Sequence, residues 1–174
     1  YMKIPKTIPP LSLAPTPIHG NEMDRNRELV DKAKDLCVSQ GLNEAVSLAF
    51  TSRKWLSNFK LGDGVPVLNP LSEEQEVLVP SLLPGMFQCA LENQRRSFGS
   101  DTLSLRLFEI RPTFSLSGEV SAGENNQTGV KEVWKWAGLL TGSRFSIALK
   151  NENPDVDLFD LKGVLDSVIG KLGT

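Results

Sequence analysis

The alternating stretch at residues 103–114 constrains the fold of this chain more than any other feature. Its leucines fall at every second position from Leu103 to Leu107, which is the period of a β-strand. Residues 117–129 are rich in glycine, serine and asparagine and predict a connecting turn, after which residues 133–141 are predicted to return as a second strand. A long antiparallel hairpin is therefore expected at the centre of a sheet.

Three other segments carry residues at the three- and four-position spacing of an amphipathic helix, over about residues 21–40, 80–96 and 157–172. A further strand is predicted over residues 43–50, where alternating side chains suggest that both faces are partly covered. The predicted buried stripes are Leu29, Val30, Ala33, Leu36 and Cys37; Leu83, Phe87, Ala90, Leu91 and Gln94; and Leu158, Leu161, Leu165, Val168 and Leu172. This order of elements, with hairpins rather than helical crossovers, predicts an α+β fold with an antiparallel sheet flanked by helices.

The first 20 residues contain five prolines, which fix the backbone and remove amide donors. They are predicted to form an extended linker from a preceding domain, followed by one core domain over residues 21–174. The chain has 40% hydrophobic and 23% charged residues, as soluble globular domains do. A net charge of −2 gives no basic surface for broad binding to nucleic acid. No apolar run reaches the roughly 20 residues that span a membrane, so a cytoplasmic protein is expected.

The sequence offers few groups for chemistry. It has no glycine-rich phosphate loop, and its single histidine, His19, lies in the predicted linker. Its two cysteines lie in separate helix-like stretches and are expected to be free thiols. Arg106 and Glu109 could contribute to a pocket on the sheet, but such a pair is more often structural. The acidic cluster Glu73, Glu74 and Glu76 is more readily a solvated loop than a cation site. No catalytic, cofactor-binding or metal-binding residue is predicted.

Residues 69–85 read NPLSEEQEVLVPSLLPG and resemble the NPLSEExxVLRxSLLPGLL run of the phenylalanyl-tRNA synthetase beta subunit family of the bacterial type. Val79 departs from this pattern, which has an arginine there. Further segments are similar to motifs of the same family in the same order: residues 1–9, 41–50, 105–110, 137–142 and 157–163. The resemblance therefore covers nearly the whole chain.

This resemblance implies a class II synthetase fold that has lost its catalysis and is truncated at its C-terminus. The family's catalytic alpha subunit has an ATP-binding arginine after the strand that corresponds to residues 103–114, and this chain has Ser115 there. A serine cannot supply the fixed charge that stabilises a transferring phosphate. ATP and magnesium are expected to bind the whole enzyme and not this chain. The implied partners are the alpha subunit and, through the assembled enzyme, tRNA(Phe).

The resemblance further implies that the first helix and strand, residues 21–50, lie at a subunit interface. The stripe Leu29, Val30, Ala33, Leu36 and Cys37 is predicted to contact partner subunits, although the same stripe could only cover its own sheet. Two alternative functions remain open from the sequence. One is an independent synthetase-like enzyme that uses Arg106 and Glu109, and the other is a stand-alone binding or regulatory module.

Overall fold

The computed structural model describes residues 22–97, 104–116, 129–144 and 154–173, with side chains from residue 25 onward. The predicted linker at residues 1–20 and most of the predicted turn at residues 117–129 lie outside the described residues. The helices are α1 (Glu22–Ser39), α2 (Arg53–Asn58), α3 (Leu83–Arg96) and α4 (Leu158–Leu172), with a 3₁₀ turn at Glu73–Gln75. The strands are β1 (Asn43–Glu44), β2 (Phe50–Thr51), β3 (Val65–Pro66), β4 (Val77–Leu78), β5 (Leu105–Leu116) and β6 (Val130–Thr141).

Strands β5 and β6 form the predicted antiparallel hairpin, paired from Leu105 with Thr141 to Leu116 with Val130. The described central sheet has the order β1-β5-β6, and β1 runs parallel to β5. The prediction of a purely antiparallel sheet was therefore wrong for β1. A parallel pair needs a long crossover connection, and α2, the small sheet and α3 provide it between β1 and β5. The α+β class is confirmed.

The predicted strand at residues 43–50 is two short strands that belong to different sheets. Strand β1 pairs with β5, whereas β2 pairs antiparallel with β4 in a small sheet of order β2-β4-β3. Residues 45–49, between the two strands, are fixed by isolated hydrogen bonds and not by a continuous ladder. Alternation in the sequence predicted one strand here, but only its two ends form strands, and the pattern could not show that these ends have different pairing partners.

Helices cover the two faces of the central sheet, and each face has its own apolar cluster. On one face, α1 and α4 place Cys37, Val164 and Val168 against Phe108 and Ile110 of β5. On the other face, α3 places Met86 against Leu107, with Ala45 beside them. Burial of one such side chain stabilises the fold by about 1.5–3 kcal/mol. The alternating sides of β5 thus face different helices.

Two of the predicted helical stripes needed correction. In α3 the predicted residues Leu83, Phe87 and Leu91 are exposed, and the buried residues are Pro84 and Met86. Apolar residues lie on two faces of this helix, and the sequence does not show which face meets the sheet. In α4 the predicted stripe holds except at its start, where Leu158 is exposed, and Val164 is an additional buried residue.

Candidate functional site

Residues 45–50, here called the bridging segment, cross from the central sheet to the small sheet. The amide of Ala45 donates to the carbonyl of Phe108 at 2.7 Å, and the carbonyl of Ala49 accepts from the amide of Val79 at 3.0 Å. Between these bonds, the amide of Ser47 donates to Glu109 Oε1 at 2.9 Å. The segment is thereby held along its length by groups of the same chain.

The carboxylate of Glu109 is the centre of this arrangement and is only 2% exposed. Ser47 Oγ donates to it, at 2.8 Å from Oε1 and 3.0 Å from Oε2. Arg111 Nε lies 3.0 Å from Oε1, which is ion-pair distance, although the N–H is not aligned for a hydrogen bond. Arg111 Nη2 donates to the carbonyl of Leu48 at 2.7 Å. The pair Glu109 and Arg111 therefore joins the bridging segment to β5.

Burial and charge act in opposite directions on Arg111. Desolvation lowers the pKa of its guanidinium, and the nearby Glu109 carboxylate partly offsets this by raising it. Arginine remains charged in proteins, so this shift measures the cost of desolvating the cation and does not indicate a proton transfer. The role of the pair is to hold the backbone in place.

A second cation lies on the same face of the sheet. Lys135 of β6 is directly opposite Arg111 of β5, so their side chains project to the same side. Lys135 Nζ donates to the carbonyl of Pro80 at 3.0 Å. Both cations in the middle of this face therefore bind backbone carbonyls of their own chain.

Arg106 and Glu109 do not form the pocket that their spacing suggested. They are three positions apart on a strand and project from opposite faces of the sheet. Arg106 Nη2 donates to the carbonyl of Arg144, whose side chain contacts Asp160 at 3.0 Å. Both residues therefore make structural contacts, but with different partners and not with each other. The pair Glu109 and Arg111 was not predicted from the sequence, although two charged residues at alternate positions after Leu107 are a signal for it.

A cleft of about 320 Å³ lies beside the bridging segment, and we call it the acidic cleft. The charged residues in its lining are Glu74 and Glu92, and the lining contains no lysine or arginine. The lining also includes Val46, Leu48 and Phe50 of the bridging segment and the amide side chains of Gln75 and Gln88. The two carboxylates of this lining disfavour binding of an anion.

The predicted interface stripe of α1 lies largely within the chain's own core. Val30, Ala33 and Leu36 are partly buried against the cluster that contains Cys37, which is fully buried. Leu29 is the member with substantial exposure, at 51%. The stripe thus covers its own sheet, and contact with a partner subunit through it stays a prediction.

Both cysteines are free, as expected. Trp136 Nε1 donates to Cys37 Sγ at 3.2 Å, and burial raises the pKa of the Cys37 thiol. This thiol is therefore unreactive and contributes to packing.

The acidic turn at residues 73–76 is partly engaged with its neighbours. Glu76 lies 3.5 Å from Arg53 Nε and accepts from the amide of Arg53 at 2.8 Å. Within the described ranges, no group of three or more histidine, cysteine, aspartate or glutamate residues could hold a metal ion. Among these same residues, no helix is long and apolar enough to cross a membrane.

Comparison with known proteins gives a consistent result. Residues 4–174 match the family described as "Phenylalanyl tRNA synthetase beta chain CLM domain". The phenylalanine–tRNA ligase beta subunit of Geobacter sulfurreducens is 32% identical over 159 residues, covering 87% of this chain and 18% of the relative. The corresponding subunit of Chlorobium luteolum is 40% identical over 114 residues, covering 64% of this chain and 14% of the relative.

The fold is similar to that of a solved pyrrolysyl-tRNA synthetase from Desulfitobacterium hafniense. The TM-score is 0.53 at 18% sequence identity, covering 85% of this chain and 46% of that one. At this identity the likeness concerns the fold alone. The chain spans about a fifth of the length of the curated relatives that it matches.

Proposed function

Because this chain belongs to the phenylalanyl tRNA synthetase beta chain family, we propose that it is the non-catalytic structural core of a beta subunit. Its task is to support an alpha subunit that attaches phenylalanine to tRNA(Phe) with ATP. The predicted division into a linker at residues 1–20 and a core domain from residue 21 is part of this proposal. So is the class II type of the fold.

One observation carries the non-catalytic part of the proposal. The two cations in the middle of the sheet face, Arg111 and Lys135, bind the carbonyls of Leu48 and Pro80. A cation that is tied to its own backbone is not free to stabilise the charge on a transferring phosphate. Ser115, at the place where the catalytic alpha subunit has its arginine, supports the same conclusion.

The chemistry of the whole enzyme is assigned to its other parts. We propose that ATP and magnesium bind the alpha subunit, that tRNA(Phe) binds the assembled heterotetramer, and that the enzyme works in the cytoplasm. The absence of a basic balance, with 19 basic against 21 acidic residues, agrees with a chain that is not the main tRNA-binding surface.

The test is a replacement within a known relative. The segment of the Geobacter sulfurreducens beta subunit that matches this chain is exchanged for this chain, and the chimeric subunit is mixed with the alpha subunit of that organism. Sedimentation and co-elution are expected to show a stable complex. A correctly folded chimera that fails to bind the alpha subunit would refute the structural role.

The helix α1 is a separate part of the proposal. We propose that its exposed edge, represented by Leu29, contacts a partner subunit. Leu29→Glu is expected to weaken assembly in the chimera without unfolding it, whereas Ala33→Glu and Cys37→Glu alter the chain's own core. Unchanged assembly with Leu29→Glu would show that α1 serves its own sheet only.

A further inference from the structure

The bridging segment exposes an apolar side chain at every second position. Val46 is 86% exposed and Leu48 is 64% exposed, while Ala45 is buried and Ser47 binds Glu109. Phe50 continues the exposed row. Several large apolar side chains in one exposed row are a feature of interaction surfaces.

This row is rigid, which favours its use in recognition. The bonds to Glu109, Arg111 and Val79 hold the backbone of the segment in place before any partner arrives. A preorganised surface loses less conformational entropy on binding than a flexible loop does. The buried pair Glu109 and Arg111 thus fixes the backbone that carries the exposed side chains of Val46 and Leu48.

The charges of the adjoining acidic cleft define the kind of partner. Both Glu74 and Glu92 are exposed at its wall, next to the amide side chains of Gln75 and Gln88. Glu92 also lies 4.0 Å from the exposed Arg96, and an exposed pair of this kind is weak enough for a partner's cation to replace it. A nucleic acid would bring phosphates to two carboxylates and be repelled. A second copy of this chain, docked symmetrically on the same patch, would place like charges together. A protein segment with positive charge avoids both problems.

We propose that the acidic cleft and the row Val46, Leu48 and Phe50 together dock an extended segment of the alpha subunit. That segment carries apolar side chains for the row and at least one lysine or arginine for Glu74 and Glu92. The inference rests on the proposed function and adds the location and chemistry of the contact. This surface is distinct from the α1 stripe, whose residues are mostly used within the chain's own core.

The apolar part is tested in the chimeric beta subunit by Leu48→Asp, with Leu71→Asp as the matched control. Leu71 is 93% exposed and does not line the cleft. Affinity for the alpha subunit is measured by biolayer interferometry. Leu48→Asp is expected to raise Kd at least about tenfold and Leu71→Asp less than about twofold. Equal effects of the two variants would overturn the proposal.

The charged part is tested by Glu74→Lys combined with Glu92→Lys, with Glu73→Lys as the control from the same turn. The double variant is expected to bind about fivefold or more weakly at low salt, and this difference should shrink at high salt because the charges become screened. Binding that is as tight as in the unmodified chimera would contradict the proposed charge complementarity.

Two further outcomes separate the possible occupants. The exposed side chains of Val46 and Leu48 should become protected from hydroxyl-radical labelling only after the alpha subunit is added. Protection in the chimera alone would assign the cleft to another part of the beta subunit, and concentration-dependent dimers abolished by Leu48→Asp would assign it to a second copy. Either result overturns the inference. Failure of the unmodified chimera to bind the alpha subunit refutes the proposed function instead.

Discussion

Replacement of Glu109 by alanine is the perturbation whose effect follows most directly from the structure. Glu109→Ala leaves the largely buried guanidinium of Arg111 without its counter-ion and removes the acceptor for Ser47 N–H and Oγ. Loss of one partner from a buried ion pair costs about 3–5 kcal/mol. Ser47→Ala removes only the hydroxyl bond and should cost about 1–1.5 kcal/mol. Loss of the carboxylate is therefore expected to lower the unfolding free energy about three times as much as loss of the hydroxyl does.

Substitutions of Glu109 and Arg111 are also expected to have non-additive effects on the unfolding free energy. Burial lowers the pKa of Arg111 more strongly than Glu109 raises it. The ion pair is therefore expected to stabilise the fold little more than apolar side chains in the same place would. The double variant Glu109→Ala with Arg111→Met should accordingly recover about 1–3 kcal/mol relative to Glu109→Ala alone. Urea unfolding, followed by tryptophan fluorescence and circular dichroism, is measured for the unmodified chain, Ser47→Ala, and the cycle of Glu109→Ala, Arg111→Met and their double variant. A cost below about 1 kcal/mol for Glu109→Ala, or simple additivity in the cycle, would refute the reasoning.

Three other predictions concern local features. Gly85→Ala would place a methyl group 2.7 Å from the Cβ of Ser47. This variant should lower the unfolding free energy, measured by urea unfolding, by about 1–3 kcal/mol. An unchanged unfolding free energy would contradict this contact. Lys60 directly follows Phe59, the C-cap of α2, and is the described non-glycine residue with a left-handed φ, of 53°. Lys60→Gly should therefore stabilise the chain by about 1 kcal/mol and raise Tm, and a lower Tm would count against this expectation. The hydrogen bond from the amide of Asp157 lowers the pKa of Asp160 below its unfolded value of about 4. The stability that Asp160 contributes is therefore present above that pH and is lost as the pH falls through the lower folded pKa. Asp160→Asn should reduce the dependence of the unfolding free energy on pH in this acid range, and an unchanged dependence would exclude this role.

Sequence periodicity predicted the parts of the fold that depend on local spacing. The hairpin of β5 and β6 was expected because alternation at residues 103–114 is long and a turn-forming stretch follows it. Helices α1 and α4 were expected because each has one apolar stripe that is wide enough to face a core. These predictions needed no knowledge of distant contacts.

The remaining features depend on contacts between residues far apart in the chain. Helix α3 has apolar residues on two sides, and only packing against Leu107 decides that Met86 is buried and Phe87 is exposed. The pairing of β1 with β5 and of β2 with β4 likewise divides a segment that reads as one strand. Ser47 and Glu109 are 62 positions apart, and no local pattern links them.

The central claim is that this chain supports catalysis by another subunit and performs none itself. Phenylalanine-dependent exchange of pyrophosphate into ATP, together with charging of tRNA(Phe), tests it most directly in four samples: this chain, the chimeric beta subunit, the alpha subunit, and the chimera with the alpha subunit. Full activity is predicted for the last sample alone. Exchange catalysed by this chain by itself, or charging unaffected when the chimera is omitted, would contradict the claim.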